Sequence, residues 1–471
     1  MLYYFLGICG VAMAPAAVMI KKKGHKVLGS DHNAYPPASE WLQQEGVEVR
    51  EGYRAENIPE TVDRVVIGNA LSRGNPEVEA VLNRRLHYIS LPELLREEMI
   101  RGRLSSVITG THGKTTTTSL LAWMLECAGR RPGFFVGGIP HNFGFGCQHG
   151  EGNTVVLEGD EYDTAFFDKR PKFLHYLPDL VILNNIEFDH ADIYNCLDEI
   201  VLAFRGLLRL VPSSGLLVAN SEDPIVMGLV AEASCPVVTF GEGPGAQWRF
   251  TDMVSDTQGT YFRIRREGRD LGKFRISLWG RHNVMNAMAA AAAAHWLDLT
   301  PAETHRGMET FRGIKRRMEL KGVVGGIRVY DDFAHHPGAV RATLGAVRGS
   351  HPTGNIWAVF EPRSNTTRRN IFRHGLAQAL ALADGVVLGS VYRPEVIPPA
   401  ERLDPKALVQ EISARNGCPA AYKSNAEEII EYLVPRLKKG DIVVIMSNGS
   451  FDGLPTKLIE SLERSCPAIK R

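Results

Sequence analysis

Short apolar runs that empty into glycine or an acid recur along this chain, with helical patterns between them. "YYFLGI" predicts a strand, a glycine turn follows, and "AMAPAAVMIKKKG" predicts a helix. "HKVLGSD" and "RVVIGNA" predict two further strands, giving β-α-β-α-β over the first hundred residues. That order is the signature of a parallel sheet with helices on its faces. A second block opens with the strand "LSSVIT" and the helix "TTTTSLLAWMLECAG". "NTVVLEGDE", "DLVILNNIEFDH" and "GLLVANSEDP" are strands running into polar loops, and "HNVMNAMAAAAAAHWLDL" predicts an alanine-rich buried helix. From "KRRMEL" onward, "IRVYDDFAHHP", "NIWAVFEPRS", "DGVVLGSVY" and "DIVVIMSNGSFDGL" repeat the strand-then-loop pattern. The reading is an α/β protein of three domains, 1–103, 104–312 and 313–471.

Composition adds exclusions. The 471 residues are 44% hydrophobic and 23% charged, enough for each domain to bury its own core. A net charge of +1 gives no support to nucleic-acid or acidic-membrane partners. Seven cysteines are scattered without a C-x-x-C pair, which reads as thiols in a reducing cytoplasm. The apolar N-terminus "MLYYFLGICGVAMAPAAVMIKKK" resembles a signal peptide. However, its lysines follow the run, and Gly7, Gly10 and Pro15 interrupt it, so strand, turn and helix explain it better.

The chemistry begins at "TGTHGKTTTTSLLAWML". It reads as a phosphate loop with only Thr111 and His112 between Gly110 and Gly113-Lys114-Thr115. Backbone N–H groups at a helix N-terminus converge on an anion. Lys114 reaches the outer phosphates of ATP in this reading, and Thr115 ligates Mg²⁺. Glu158 ends an apolar strand in "VVLEGDEYD", at the sheet edge where such folds bind ligands, and suits Mg²⁺. Asp160, Glu161 and Asp163 read as a solvated acidic loop. His190, after the next strand, is placed to ligate a second metal or contact the γ-phosphate. In the first block, "GICGVAM" is only G-x-x-G, with Asp31 closing the second strand where a ribose-binding acid would lie. In the third, Asp331, Asp332, His335 and His336 follow one strand and Arg363 follows another. Arg363 is the better carboxylate-binding fork, while Arg368 and Arg369 read as a solvated helix face.

Taken in order, the G-x-x-G turn, "GTHGKTTT", "EGDEYD", "NNIEFDHAD", "HNVMN", "RRMEL", "YDDFAHHP" and "SNGSFDG" resemble the ATP-dependent Mur ligases from end to end. The resemblance implies a three-domain architecture: a Rossmann-like N-terminal domain, a central P-loop ATPase-like domain and a Rossmann-like C-terminal domain. It also implies ATP and Mg²⁺, a UDP-N-acetylmuramate donor, an amine acceptor, a cytoplasmic monomer or homodimer, and a role in peptidoglycan recycling.

Residue by residue, the family pattern implies an ATP loop of Gly110, Thr111, His112, Gly113, Lys114, Thr115 and Thr116. His282 and Asn283 fall at adenine, Asp332 at the ATP ribose and Arg317 at the phosphates. Thr115, Glu158 and His190 fall at metal. Lys114, Glu158, His190 and Arg317 form the catalytic set, His336 and Arg363 bind the acceptor, and Gly7, Cys9, Gly10, Asp31 and Ser72 bind the UDP-sugar. One branch of the family adds L-alanine and another adds L-alanyl-γ-D-glutamyl-meso-diaminopimelate. "GNALSRGNP", "EYDTAFFDKRPKF", "EFDHADIY" and "EPRSNT" look like the second. The tripeptide's three carboxylates also call for added cationic donors, which Arg363 and its neighbours supply. Two departures stand out. "LDEIVLAFRGLLRL" has Arg205 and Arg209 but no lysine to carbamylate, and Gly159 replaces the common alanine. An NAD-dependent oxidoreductase would rest on the N-terminal turn alone. A nucleotide-gated regulator would leave the full set of phosphate and metal candidates without a use.

Overall fold

The computed structural model describes residues 1–32, 38–191 and 193–465. Its strands gather into three large sheets. The first is all parallel, in the order Glu48–Glu51, Lys26–Asp31, Leu2–Leu6, Arg64–Ile67, Tyr88–Ser90. Tyr3, Tyr4, Phe5 and Leu6 on the middle strand are wholly buried, because helices cover both faces. This is why that segment reads as an unbroken apolar run rather than an alternation.

The second sheet has ten strands. Its parallel centre sets Leu180–Leu183, Leu104–Thr109 and Thr154–Glu158 side by side, so the loops after these strands open on one edge. Ligands bind at that carboxyl edge in open α/β sheets. Helix Arg281–Trp296 packs on helix Lys114–Cys127 above it. Residues 284 to 294 are all buried, most of them alanine, and that small side chain is what permits the close approach. A bulkier residue there would overpack the seam at a cost of about 1–3 kcal/mol. The third sheet runs Glu319–Val324, Ile327–Asp332, Ile442–Met446, Ile356–Phe360, Gly385–Leu388, Ala420–Tyr422, parallel except at its first member.

Two features lie outside the sequence reading. Trp248–Asp256, Gly259–Arg266 and Arg269–Ile276 form an antiparallel meander that extends the central sheet. Glu319–Val324 is an antiparallel edge strand. Their charged, half-exposed faces lack the apolar runs by which the parallel strands were recognised.

Candidate active site

Strand Leu104–Thr109 delivers the chain to Gly110, and helix Lys114–Cys127 departs from Gly113. Gly110 has φ +124°, and a β-carbon there would lie 2.8 Å from the Asn185 carbonyl oxygen. Gly113 has φ +84°, and a β-carbon would overlap the Asn286 side chain. Both positions therefore require glycine. The loop is anchored from below by the neighbouring strand's exit. Thr111 N–H donates to the Asn185 carbonyl at 3.0 Å, and His112 N–H to Asn185 Oδ1 at 2.7 Å.

Lys114 Nζ donates to the carbonyls of Gly110 at 2.8 Å and Thr111 at 3.3 Å, and to both oxygens of Glu161 at 2.9 Å. Glu161 also accepts from His190 Nε2 at 2.8 Å. His190 is a left-handed residue, φ +56°, whose ring lies 4.3 Å from that of Tyr162. Burial opposes charge on all three groups, but their mutual attraction outweighs it. The Lys114 and His190 pKa values rise, and that of Glu161 falls. Glu161 is only 2% exposed, so the expectation of a solvated loop is wrong for it. Its partner Lys114 lies 47 positions away, and only the fold brings the two together. Asp160 pairs with Lys172 at 2.6 Å and Asp163 with Lys169 at 2.5 Å, both part-exposed.

Glu158 Oε1 accepts from the Thr115 hydroxyl at 2.8 Å, and Oε2 from Gly137 N–H at 2.7 Å. Burial raises its pKa, against the pull of the Gly137 N–H and Lys114. The Thr115 hydroxyl and the Glu158 carboxylate, hydrogen-bonded at 2.8 Å, are both oxygen donors of the kind Mg²⁺ takes. These two hard donors fit Mg²⁺. His190 faces Glu161, not Glu158, so its ring nitrogen sits with a carboxylate three residues further along the loop.

A cavity of about 980 Å³ spreads from this loop to the third sheet. Thr111, His112, Gly113, Lys114, Thr115, Thr116, Glu158, His190, His282, Asn283, Arg317, Asp332, His336 and Arg363 all line it. Gly110 alone of the loop does not, being pressed on the Asn185 backbone. Asn283 Nδ2 donates to the Trp279 carbonyl at 2.8 Å, and burial holds the His282 pKa down to about 4. The Arg317 guanidinium lies 4.8 Å from the centre of the Phe333 ring. Asp332 accepts from Met318 N–H at 2.7 Å and Ala334 N–H at 2.8 Å, which fixes its carboxylate at the cavity wall.

The five residues expected at a UDP-sugar lie apart, and none lines this cavity. Asp31 receives Cys9 N–H and His32 N–H at 2.8 Å and the Tyr53 hydroxyl at 3.1 Å, closing the turn that begins at Gly7. Gly10 N–H donates to the Gly7 carbonyl at 3.1 Å. Ser72 is exposed and follows Leu71, whose side chain would meet a β-carbon at Gly7 at ordinary van der Waals distance.

Several contributors escape the sequence reading. Asp189 Oδ1 accepts from the Thr366 hydroxyl at 3.1 Å, tying the histidine loop to the third sheet's loops. His112 and His336 both approach Glu187 Oε2, at 3.3 and 3.6 Å. The density of acids and histidine in "NNIEFDHAD" was the available signal. Arg368 is a correction. It is 8% exposed, sits in a turn, and donates to the carbonyls of Tyr392 at 3.3 Å and Arg393 at 3.5 Å. Arg369 is likewise not on a solvated helix, since it pairs with Glu401. On helix Leu197–Leu208, Arg205 turns to Glu232 at 2.7 Å.

Three family models match in sequence: Mur ligase family, catalytic domain, at residues 2–103; Mur ligase middle domain at 108–294; and Mur ligase, glutamate ligase domain, at 316–449. The chain is 40% identical to the UDP-N-acetylmuramate–L-alanyl-gamma-D-glutamyl-meso-2,6-diaminoheptandioate ligase of Escherichia coli (strain K12), covering 99% of both chains. It is 35% identical to a UDP-N-acetylmuramate–L-alanine ligase of Rhizobium johnstonii, covering 98% of this chain and 97% of that one. A crystal structure of a murein peptide ligase from Psychrobacter arcticus superposes with a TM-score of 0.73 at 35% identity, covering 98% of each chain. The chain belongs to the Mur ligase family.

Proposed function

We propose that this Mur ligase joins the lactyl carboxylate of UDP-N-acetylmuramate to the α-amine of L-alanyl-γ-D-glutamyl-meso-diaminopimelate, converting ATP to ADP and phosphate. The observation that carries the chemistry is the helix N-terminus with Lys114 and the Thr115–Glu158 pair, facing Arg363 across one cavity. Full-length similarity at 40% to a ligase named for the tripeptide, against 35% to one named for alanine, supports the acceptor.

The reaction brings two anions together. A carboxylate oxygen attacks the γ-phosphorus and ADP leaves. The amine then attacks the acyl carbon of the acyl phosphate, and phosphate leaves as the nitrogen loses its proton. Neutralisation and positioning are the protein's task. In this reading Lys114 trades Glu161 for the γ-phosphate, and Arg317 faces the same charge. His282, Asn283 and Asp332 hold the nucleoside, and Arg363 and His336 receive the acceptor. Thr115 and Glu158 would hold Mg²⁺, with His190 at a second metal position, and the ion would supply charge neutralisation on the phosphates. Gly7, Cys9, Gly10, Asp31 and Ser72 take the UDP-sugar. The domains divide at 1–103, 104–312 and 313–471, and their closure keeps water from the acyl phosphate. No helix among the described residues is long and apolar enough to cross a membrane. Our reading of the chain is a cytoplasmic monomer or homodimer.

Phosphate release with ATP and UDP-N-acetylmuramate, offered alanine or tripeptide separately, tests the reading. Turnover with the tripeptide is expected. Turnover with alanine alone makes the chain an alanine-adding ligase, and release with neither makes it a nucleotide-binding regulator.

A further inference from the structure

Three side chains from distant parts of the chain converge beside the phosphate loop. His112 Nε2 lies 3.3 Å from Glu187 Oε2, and His336 Nδ1 lies 3.6 Å from the same oxygen. One ligand atom from each residue stands within 4.8 Å of the other two. The space between them is left open by Gly338. A β-carbon there would stand 3.3 Å from Glu187 Oε2, 3.4 Å from His336 Nδ1 and 3.7 Å from His112 Nε2.

The backbone holds the set in place. The Thr111 hydroxyl donates to the Glu187 carbonyl at 3.2 Å and accepts from Glu187 N–H at 2.8 Å, so His112 and Glu187 ride on loops locked together. His336 caps helix Pro337–Ser350, and its ring meets that of Phe372 edge-on at 4.8 Å. His336 is 7% exposed, yet its Nε2 has no hydrogen-bond partner among the described residues. Its Nδ1 accepts one long bond, from Gly338 N–H at 3.3 Å. A buried imidazole so poorly satisfied calls for a further partner.

Two imidazoles and a carboxylate are the donor set of open zinc sites, which keep a fourth position for water or substrate. Zinc bonds of about 2.0–2.2 Å put two ligands of one ion no more than about 4 Å apart, a condition that both distances to Glu187 meet. Mg²⁺ prefers oxygen ligands, so this set is chemically distinct from Thr115 and Glu158.

We propose that His112, Glu187 and His336 form an inhibitory site for a zinc-type divalent cation. His112 and Glu187 belong to the middle domain and His336 to the glutamate ligase domain, so one ion clamps the two together. The ion also takes the imidazole assigned above to the acceptor. Metal uptake is independent of the ligase reading, and the inhibition rests on it.

The test begins with the metal alone. Zn²⁺ is titrated into the chelator-treated full chain against a colorimetric zinc chelator. Wild type should take up one equivalent more than Glu187→Gln, whose affinity at this site should fall at least about 100-fold, beyond the 10–100-fold typical of losing a group that only orients a ligand. Gly338→Ala keeps all three ligands but crowds the space between them, and should weaken uptake about tenfold or more. Millimolar Mg²⁺ should not displace the Zn²⁺. Zn²⁺ is then added to the phosphate-release assay at saturating Mg²⁺ and ATP, each protein being compared with its own zinc-free rate. In wild type the acceptor KM should rise with little change in kcat, and Glu187→Gln should need about 100-fold more Zn²⁺ for the same effect. Equal uptake by wild type and Glu187→Gln overturns the site. Uptake without inhibition, or inhibition equal in the two proteins, overturns the clamp. A chain that releases phosphate with neither acceptor overturns the ligase reading, and the uptake comparison still decides the site.

Discussion

Replacing Lys114 by alanine strips Glu161 of the cation that both its oxygens touch at 2.9 Å. At an effective dielectric near 20 that attraction is about 6 kcal/mol before desolvation is counted. Removing one partner from a buried pair typically costs about 3–5 kcal/mol, because the other charge is left buried. Here His190 still donates to Glu161 at 2.8 Å, so the loss should sit near the lower end, at about 3 kcal/mol. The double variant Lys114→Ala/Glu161→Gln removes the orphaned charge and should recover about 2 kcal/mol of that loss. Activity should not follow stability. Both variants lack the ammonium proposed to face the phosphates, and ADP release should fall at least about 100-fold in each. Urea unfolding gives the first quantity and a coupled ADP assay the second. The reasoning fails if Lys114→Ala keeps full turnover, or if the double variant is no more stable than the single one.

Other outcomes follow from the same geometry. Glu158→Gln should weaken the Mg²⁺ dependence of phosphate release and cut kcat/KM about 100-fold, since it replaces the anionic oxygen proposed to hold the ion with a neutral amide oxygen; an unaltered Mg²⁺ titration contradicts this. Gly113→Ala forces an alanine to φ +84° and into Asn286, so calorimetry should show lost ATP binding alongside destabilisation of at least about 1–2 kcal/mol. Burial holds the His335 pKa down to about 4, below the unfolded value of about 6.5. Unfolding therefore takes up a proton between these limits, and stability falls as pH drops through that window. His335→Gln should flatten this part of the stability–pH curve, and an identical slope would speak against the buried neutral ring.

The parallel framework was legible because its strands are buried on both faces and so appear as apolar runs. "YYFLGI", "LSSVIT" and "DIVVIM" all became central strands. The meander from Trp248 to Ile276 was not, since its strands alternate with charge and one face meets solvent. The glycine turn between strand Leu104–Thr109 and helix Lys114–Cys127 could be read because its glycines, lysine and threonine are adjacent in sequence and their geometry is local. Glu161 and Arg368 could not. Composition marks both as surface residues, and only distant partners, Lys114 and the carbonyls of the Tyr392 turn, make their burial tolerable. Sequence spacing cannot reveal a partner supplied by another part of the fold.

Crystals grown with Mg²⁺ and a nonhydrolysable ATP analogue probe the central claim most directly. The account predicts phosphates against residues 110–116, Lys114 turned from Glu161 to the γ-phosphate, and the metal between Thr115 and Glu158. An analogue bound elsewhere, or one bound there with the Lys114–Glu161 pair intact, would contradict it.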